Sequence, residues 1–228
     1  MTRKSRFLPL LAGAALLAAA PAFAQQAAPA APAAARAAPA SATMQGTPSQ
    51  LVLNNSQRIL STLEKRRAEF TKNRTALREF VSTEFNAMFD RDYAARQVLG
   101  RHGRGASDED VKLFADALAD NLMQRYGSSL LDFNTRLRVR VKSETQLPRG
   151  LGVKVSSEFL RQGGEPIPVD YLMRRNGNQW KVFDVMVEGV SYVQTFRNQF
   201  DAELQRKSIR EVATALRSGQ LRPDAGQP

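Results

Sequence analysis

The chain has 228 residues, with 33 Lys and Arg against 22 Asp and Glu, one histidine and no cysteine. The absence of cysteine excludes disulfide frameworks and thiolate metal sites, so the fold must depend on its hydrophobic core. The formal net charge of +11 favours anionic partners such as nucleic acid, acidic proteins or lipid head groups.

The first 24 residues have the pattern of an export signal. Arg3, Lys4 and Arg6 precede an almost wholly apolar run, and the sequence AFA at 22–24 is a small-x-small cleavage site. We predict cleavage after Ala24 and a periplasmic mature protein. Removing the three signal cations from 33 leaves 30 basic against 22 acidic residues, a charge of +8. Export argues against a nucleic-acid partner.

The remaining chain divides into a linker, one domain and a tail. Residues 25–47 are mostly alanine and proline, and they cannot bury enough apolar surface to offset the entropy of ordering. We predict a disordered linker there, a single domain over residues 48–218 and a disordered tail over 219–228. A domain of this length can bury a sizeable core.

The first half of the domain shows helical spacing of its apolar residues. It predicts helices over 48–67, 69–89 and 93–99, a helix from Ser107 to Gly127, and a short helical turn over 128–133. Ser107 has the chemistry of an N-cap, because three acidic residues follow it in the first turn.

The second half changes to a period of two, which is typical of strands with one wet face. Strands are predicted over 136–142, 151–161, 167–175 and 180–188, followed by helices over 191–207 and 209–216. Tight turns between successive strands indicate an antiparallel meander. The predicted fold class is therefore α+β, a four-stranded antiparallel sheet with helices packed on one face.

The facing of the strands follows from their charges. Burying Arg138 and Arg140 unpaired would be far more costly than exposing two valines, so Val139 and Val141 are expected to point inward. The fourth strand is ambiguous, because Trp180 and Val182 compete with Phe183, Val185 and Val187 for the inner face. We choose the latter set, since the other face also carries Asp184 and Glu188.

Candidates for catalysis are few. His102 lies in the basic loop GRHGRG and is predicted to be solvated. Asp184 and Glu188 would lie roughly 13 Å apart on one strand, too far for the 5–9.5 Å of a glycosidase pair. Asp184 is predicted to cap a helix or meet an arginine rather than act as a general base. An enzyme of the cone-shaped α+β class and a secreted adaptor with a filled core remain alternatives.

Two stretches of the chain carry a family resemblance. They are FNAMFDRDYAARQVLGRHGRGASDEDVKLFADALADNLMQRYGSSLLDF, beginning at Phe85, and WKVFDVMVEGVSYVQTFRNQF, beginning at Trp180. With the strands between them, they resemble the MlaC family of periplasmic phospholipid-binding proteins, also called toluene-tolerance auxiliary components.

The resemblance implies a function that the residues alone do not. It implies a monomeric lipid carrier whose apolar pocket, between sheet and helices, holds a phospholipid as cargo, without a cofactor, metal or catalytic residue. Its expected partners are an outer-membrane lipoprotein–porin complex and an inner-membrane ABC transporter, and its expected role is to maintain outer-membrane lipid asymmetry. The expected lipid-binding residues are Phe85, Met88, Phe89, Tyr93, Leu118, Leu122, Tyr126, Val139, Val141, Val153, Val155, Tyr171, Met173, Phe183, Val185, Val187, Val193 and Phe196.

Overall fold

Helices precede and follow a sheet in the computed structural model, which describes residues 46–126, 131 and 137–224. The α-helices are α1 (Pro48–Lys65), α2 (Arg67–Lys72), α3 (Arg74–Met88), α4 (Arg91–Leu99), α5 (Asp108–Tyr126), α6 (Tyr192–Leu204) and α7 (Ile209–Arg217). Short 3-10 turns occupy Gly100–Gly103 and Pro148–Gly150.

The sheet is an antiparallel meander in chain order. Its strands are β1 (Arg138–Gln146), β2 (Val153–Leu160), β3 (Ile167–Asn176), β4 (Gln179–Val187) and β5 (Val190–Ser191). The predicted antiparallel sheet is confirmed, with one strand more than expected. The sequence did not indicate β5, because two residues are too few to show alternation.

Side-chain caps determine where most helices begin. Thr47 and Gln50 form a capping box at α1, and Ser208 and Glu211 form another at α7. The predicted cap at Ser107 is confirmed, since its Oγ accepts from the Asp110 amide at 3.1 Å. Such bonds satisfy amides that would otherwise lack partners in the first turn.

The predicted helix over 69–89 is interrupted at Asn73. Its side chain accepts from the Ala76 amide at 3.0 Å and caps α3, so α2 and α3 are separate helices. Asparagine favours such a local bond over a helix interior, which is why apolar spacing alone missed the break. Of the helical turn predicted over 128–133, only Leu131 lies within the described residues.

The buried apolar side chains form two clusters. The first lies between the sheet and α1–α3, and it includes Val52, Ile59, Phe70, Leu77 and Val155. The second lies among α4–α7, with Leu99, Phe114, Phe200, Val212 and Leu216. We call these the sheet cluster and the helical cluster. The half-buried Tyr192, at the start of α6, packs against both.

The segment after the predicted domain end contacts α5. Leu221 packs against the helical cluster, and its carbonyl accepts from the Asn121 side chain at 3.4 Å. The Pro223 carbonyl accepts from Arg125 at 3.0 Å. Residues 219–224 therefore belong with the folded part, beyond the predicted boundary at Ser218. Among the described helices, none has the length and apolarity needed to cross a bilayer.

Candidate functional site

The inner face of the sheet is an apolar surface covered by α1–α3. Burial alternates along β2 and β3, so that Val153, Val155, Tyr171 and Met173 are buried while Lys154 is only partly so. Pairing places Val155 opposite Tyr171 and Val153 opposite Met173, which aligns the four side chains on one face. The predicted facing of these two strands is confirmed.

The first strand, β1, shows the same alternation of buried and exposed side chains over its first half. Val139 is buried and Val141 is half-buried, while Arg138 and Arg140 are exposed, as predicted. On the outer face Arg140 and Lys142 both contact Glu158 at 2.6 Å. The hydrogen bond from Lys142, followed by the one from Arg140, is the main cause that lowers the pKa of the Glu158 carboxyl. A register shift between Val141 and Ser143 then changes the faces of the residues that follow.

The fourth strand presents parts of both predicted sets to the sheet cluster. Val182, Val185 and Val187 are buried in it, and Trp180 packs against it. The cause is a second register shift, at Leu172 and Met173 of β3, which reverses the alternation of β4 near Phe183. Our choice of one uninterrupted face was therefore wrong for Val182 and Trp180.

Phe183 instead meets Tyr93 beside the sheet. Their ring centroids are 5.2 Å apart and the rings are nearly perpendicular, at 84°. The Arg174 guanidinium lies 4.1 Å from the centroid of the Tyr93 ring and donates to Asp90 at 2.8 Å. Asp90 also caps α4 by accepting from the Tyr93 amide at 3.2 Å. Two residues predicted to bind lipid thus belong to a chain of contacts that fixes α4 to the sheet.

The other helical residues of the predicted site fall into two places. Phe85, Met88 and Phe89 lie at the sheet cluster, where the Phe85 and Phe89 rings stack with centroids 4.2 Å apart. The helical cluster instead contains the remaining members, which are Leu118, Leu122, Tyr126, Val193 and Phe196. Contact of any of these side chains with lipid remains a prediction. Of these, only Phe85, Met88 and Phe89 lie at the same cluster as the predicted strand residues.

Sequence reasoning left α1 and α2 out of the site. Val52, Ile59 and Leu63 recur at helical spacing and are buried against the sheet, and Phe70 stacks on Phe80 with centroids 5.5 Å apart. The signal was present, since the same periodicity predicted the helices. What the periodicity could not indicate was which helical face meets the sheet.

Hydroxyl groups lie within the sheet cluster. Tyr171 and Ser56 are fully buried, and Ser157 is 2% exposed and donates to the Val169 carbonyl at 2.8 Å. The Tyr171 hydroxyl lies near those of both serines, and burial raises the pKa of this phenol above its usual value. Burying a polar group costs free energy unless it is hydrogen-bonded, so such groups are rare in an apolar interior. These three hydroxyls are the polar centre of the sheet cluster.

The two chemical candidates from the sequence have structural roles. The Asp184 carboxylate accepts from the Ser191 hydroxyl at 2.6 Å and from the Val193 amide at 3.0 Å, so it caps α6 as predicted. Burial is the main cause that raises the pKa of Asp184. His102 was predicted to be solvated, but its side chain is only 18% exposed and its Nε2 lies 2.9 Å from Asp201 on α6.

The described residues contain no group of three or more His, Cys, Asp or Glu side chains arranged to hold a metal ion.

Comparison with known proteins agrees with this architecture. A family model described as "MlaC protein" matches residues 53–218. The chain belongs to the MlaC family. The match begins within α1 and extends past the end of α7, so it includes the whole sheet and most of both apolar clusters.

Two bacterial relatives are similar to this chain over most of their length. The toluene tolerance protein ttg2D of Pseudomonas putida is 26% identical over 163 residues, which are 70% of this chain and 74% of that protein. The intermembrane phospholipid transport system binding protein MlaC of Haemophilus influenzae is 20% identical over 180 residues, or 78% and 84% of the two chains.

A solved structure shares the fold. It is a phospholipid-binding protein from Ralstonia solanacearum in complex with a phospholipid, with a TM-score of 0.65 and 22% identity. The match covers 75% of this chain and 97% of the other. The arrangement of helices and antiparallel sheet is therefore that of a known phospholipid-binding protein.

Proposed function

We propose that this protein is a periplasmic phospholipid carrier that moves lipid between an outer-membrane lipoprotein–porin complex and an inner-membrane ABC transporter. The observation that carries the proposal is the family match over residues 53–218, which spans the sheet and the helices that cover it. The names of the similar proteins support it, since one is a phospholipid transport system binding protein and another is a phospholipid-binding protein.

The acyl chains, in this proposal, occupy the interface between the inner face of the sheet and α1–α3. That interface is lined mostly by valines and aromatic rings, and the buried hydroxyls of Tyr171, Ser56 and Ser157 are its polar exceptions. Half-buried apolar residues such as Leu53, Phe85 and Val141 pack against its border, where we propose that the lipid enters. The head group stays at that border, where water can solvate its charge.

Physical chemistry explains why a carrier is needed and why it needs no catalytic group. Each CH₂ exposed to water costs about 0.8 kcal/mol, so a two-chain lipid with roughly thirty methylenes cannot usefully cross the periplasm bare. An interior as apolar as a bilayer makes exchange nearly neutral in free energy. The direction of transport must then come from the affinities of the partner complexes or from ATP. No covalent bond is made or broken.

Native mass spectrometry of the gently purified mature protein tests lipid carriage. We expect an added mass equal to one or more phospholipids, and uptake of lipid from vesicles after the protein has been delipidated. Repeated preparations with no lipid and no uptake would refute the carrier function. Release of lysolipid or fatty acid from the bound lipid would instead support the enzyme alternative.

The shuttle itself needs a second measurement. Fluorescent phospholipid should pass between vesicles that carry the outer-membrane complex and vesicles that carry the inner-membrane transporter only when the protein is added. Fractionation of cells should find the mature chain, beginning at Gln25, in the periplasm. Transfer at the same rate without the protein would contradict the shuttle role while leaving lipid binding intact.

A further inference from the structure

The turn between β1 and β2 presents an apolar side chain to solvent. Leu151 is 53% exposed, the most exposed large hydrophobic residue in the described part of the chain. The second exposed large hydrophobic residue in the described part of the chain is Val190, which is 38% exposed and lies at the opposite end of the sheet, in β5. A single exposed leucine is ordinary, so its surroundings decide whether it has a role.

The backbone holds this leucine in place. The Leu147 amide donates to the Gly152 carbonyl at 2.8 Å and closes the turn. Gly152 has φ +136° and packs so closely on β3 that a Cβ would lie 1.9 Å from the Met173 carbonyl oxygen. Arg149 takes a left-handed conformation, with φ 59°, which is unfavourable for a side chain other than glycine. Leu151 is therefore displayed by a shaped turn.

Two cations flank the leucine. Arg149 lies in the same turn, and Arg175 lies at the end of β3, beside the place where Gly152 meets Met173 and Arg174. Both are exposed, and neither forms an ion pair with a carboxylate among the described residues. The Arg175 guanidinium instead stacks over the Trp180 ring, 4.8 Å from its centroid.

Two acidic groups at this end of the sheet are already engaged. Glu144, near the end of β1, accepts from the Ser49 amide and hydroxyl at the start of α1, at 3.1 and 2.8 Å. Asp90 is paired with Arg174 at 2.8 Å. We use the name basic hairpin end for Arg149, Leu151, Arg175 and Trp180.

We propose that the basic hairpin end contacts an anionic lipid surface, with Leu151 inserted at the boundary of the acyl chains and the two arginines at the head groups. Cations beside an apolar anchor match the depth profile of a membrane interface, where tryptophan is also enriched. A short convex turn, in contrast, offers far less than the roughly 800 Å² per partner of a stable protein interface. Leu151 and the two arginines lie outside the proposed cargo site, although Trp180 packs against it, and the contact could hold even if the carrier function failed.

Vesicle binding of the full-length mature protein tests the proposal. The vesicles contain phosphatidylcholine alone or mixed with phosphatidylglycerol, and carry no protein. One variant combines Arg149→Gln with Arg175→Gln, and a second is Leu151→Ser. Their matched controls lie elsewhere on the surface: Arg138→Gln with Arg206→Gln, which removes the same charge, and Val190→Ser.

We expect binding to the anionic vesicles that weakens as salt is raised. Loss of both hairpin arginines should weaken it about 25-fold, fivefold for each, the equivalent of about 1 kcal/mol per cation near an anionic surface. Leu151→Ser should weaken it severalfold, and both controls should stay within about twofold of the parent protein.

Several results would overturn the proposal. One is the absence of binding to the protein-free anionic vesicles at low salt, and another is an equal loss in the control variants. If the hairpin variants weaken only the binding of an acidic partner protein, that partner and not the membrane is the target. Native mass spectrometry on the same variants separates the two functions, because the cargo should remain bound when vesicle binding is lost.

Discussion

Replacement of Asp184 tests whether this carboxylate is a helix cap or a catalytic base. Its two hydrogen bonds hold the Ser191 hydroxyl and the Val193 amide at the start of α6, where β4 turns into the helix. Asp184→Asn keeps the size of the side chain and one acceptor oxygen but removes the charge. Asp184→Ala removes both acceptors.

The structure gives the expected magnitudes. A hydrogen bond to a charged group contributes about 1.5–3 kcal/mol, and loss of an N-cap costs about 1 kcal/mol. Because Asp184 is only 6% exposed, the groups left by Asp184→Ala are poorly solvated. We expect that variant to lose about 2–4 kcal/mol of unfolding free energy. Asp184→Asn should stay within about 1 kcal/mol of the parent, since an amide retains one bond and needs no buried charge.

The pH dependence has a definite sign. Burial raises the pKa of Asp184 above its ordinary value of 3.8, so the folded state keeps the proton to a higher pH than the unfolded state. The contribution of this group to stability is then largest at low pH. It falls as pH rises from about 4 through the folded pKa, and it is constant above that. The parent protein should therefore lose stability relative to Asp184→Asn across this window.

Urea unfolding of the parent and both variants, from acidic to neutral pH, measures these differences, and native mass spectrometry reports the bound lipid. We expect the Asn variant to retain its lipid. A parent protein that gains stability over Asp184→Asn as pH rises would refute the burial argument. Lipid hydrolysis by the parent that disappears in a folded Asn variant would refute the cap as the role of this residue.

Three further predictions concern the lipid interior, the hairpin and the linker. A photo-cross-linking residue at Val155 should capture phospholipid and one at Lys154 should not, as mass spectrometry of the adducts would show; capture from Lys154 alone would place the cargo on the outer face. Gly152→Ala should lose more than about 2 kcal/mol in urea unfolding, because its methyl would lie 1.9 Å from a carbonyl oxygen of β3. The matched control Gly150→Ala, with no atom within 4 Å of its Cβ, should lose only the 1–2 kcal/mol or so of a left-handed alanine; equal losses would contradict the contact argument. Deletion of residues 25–47 should leave lipid binding unchanged, and substantial loss of lipid from a folded truncation would contradict a linker role.

Sequence patterns predicted the strands where the ladder is regular and failed where it shifts. Along β2 and β3 the period of two holds throughout, and the predicted inward residues Val153, Val155, Tyr171 and Met173 are all buried. In β4 the shift near Phe183 lets both halves of the strand bury valines. A bulge changes the alternation without leaving a composition signal, so no reading of β4 as one face could have placed Val182 and Phe183 correctly.

Helical periodicity has a different limit. The stripe of Leu118 and Leu122 on α5 was predicted to be buried, and it is largely covered, but within the helical cluster rather than against the sheet. A stripe identifies the buried face of a helix and says nothing about its partner. The predicted site therefore combined residues of two clusters, because the topology that separates them is set by contacts distant in sequence.

The division into two clusters bears on how a carrier can exchange cargo and stay folded. If acyl chains enter the sheet cluster, as we propose, α1–α3 must yield some of their apolar contacts with the sheet. The helical cluster does not depend on those contacts, since α4–α7 bury Leu99, Phe114, Phe200 and Leu216 among themselves. It is fixed to the sheet by the cap that Asp184 of β4 provides and by the contacts of Arg174, on β3, with Asp90 and Tyr93. The sheet is thus supported at β3 and β4, and in this proposal α1–α3 yield to the lipid while that support stays intact.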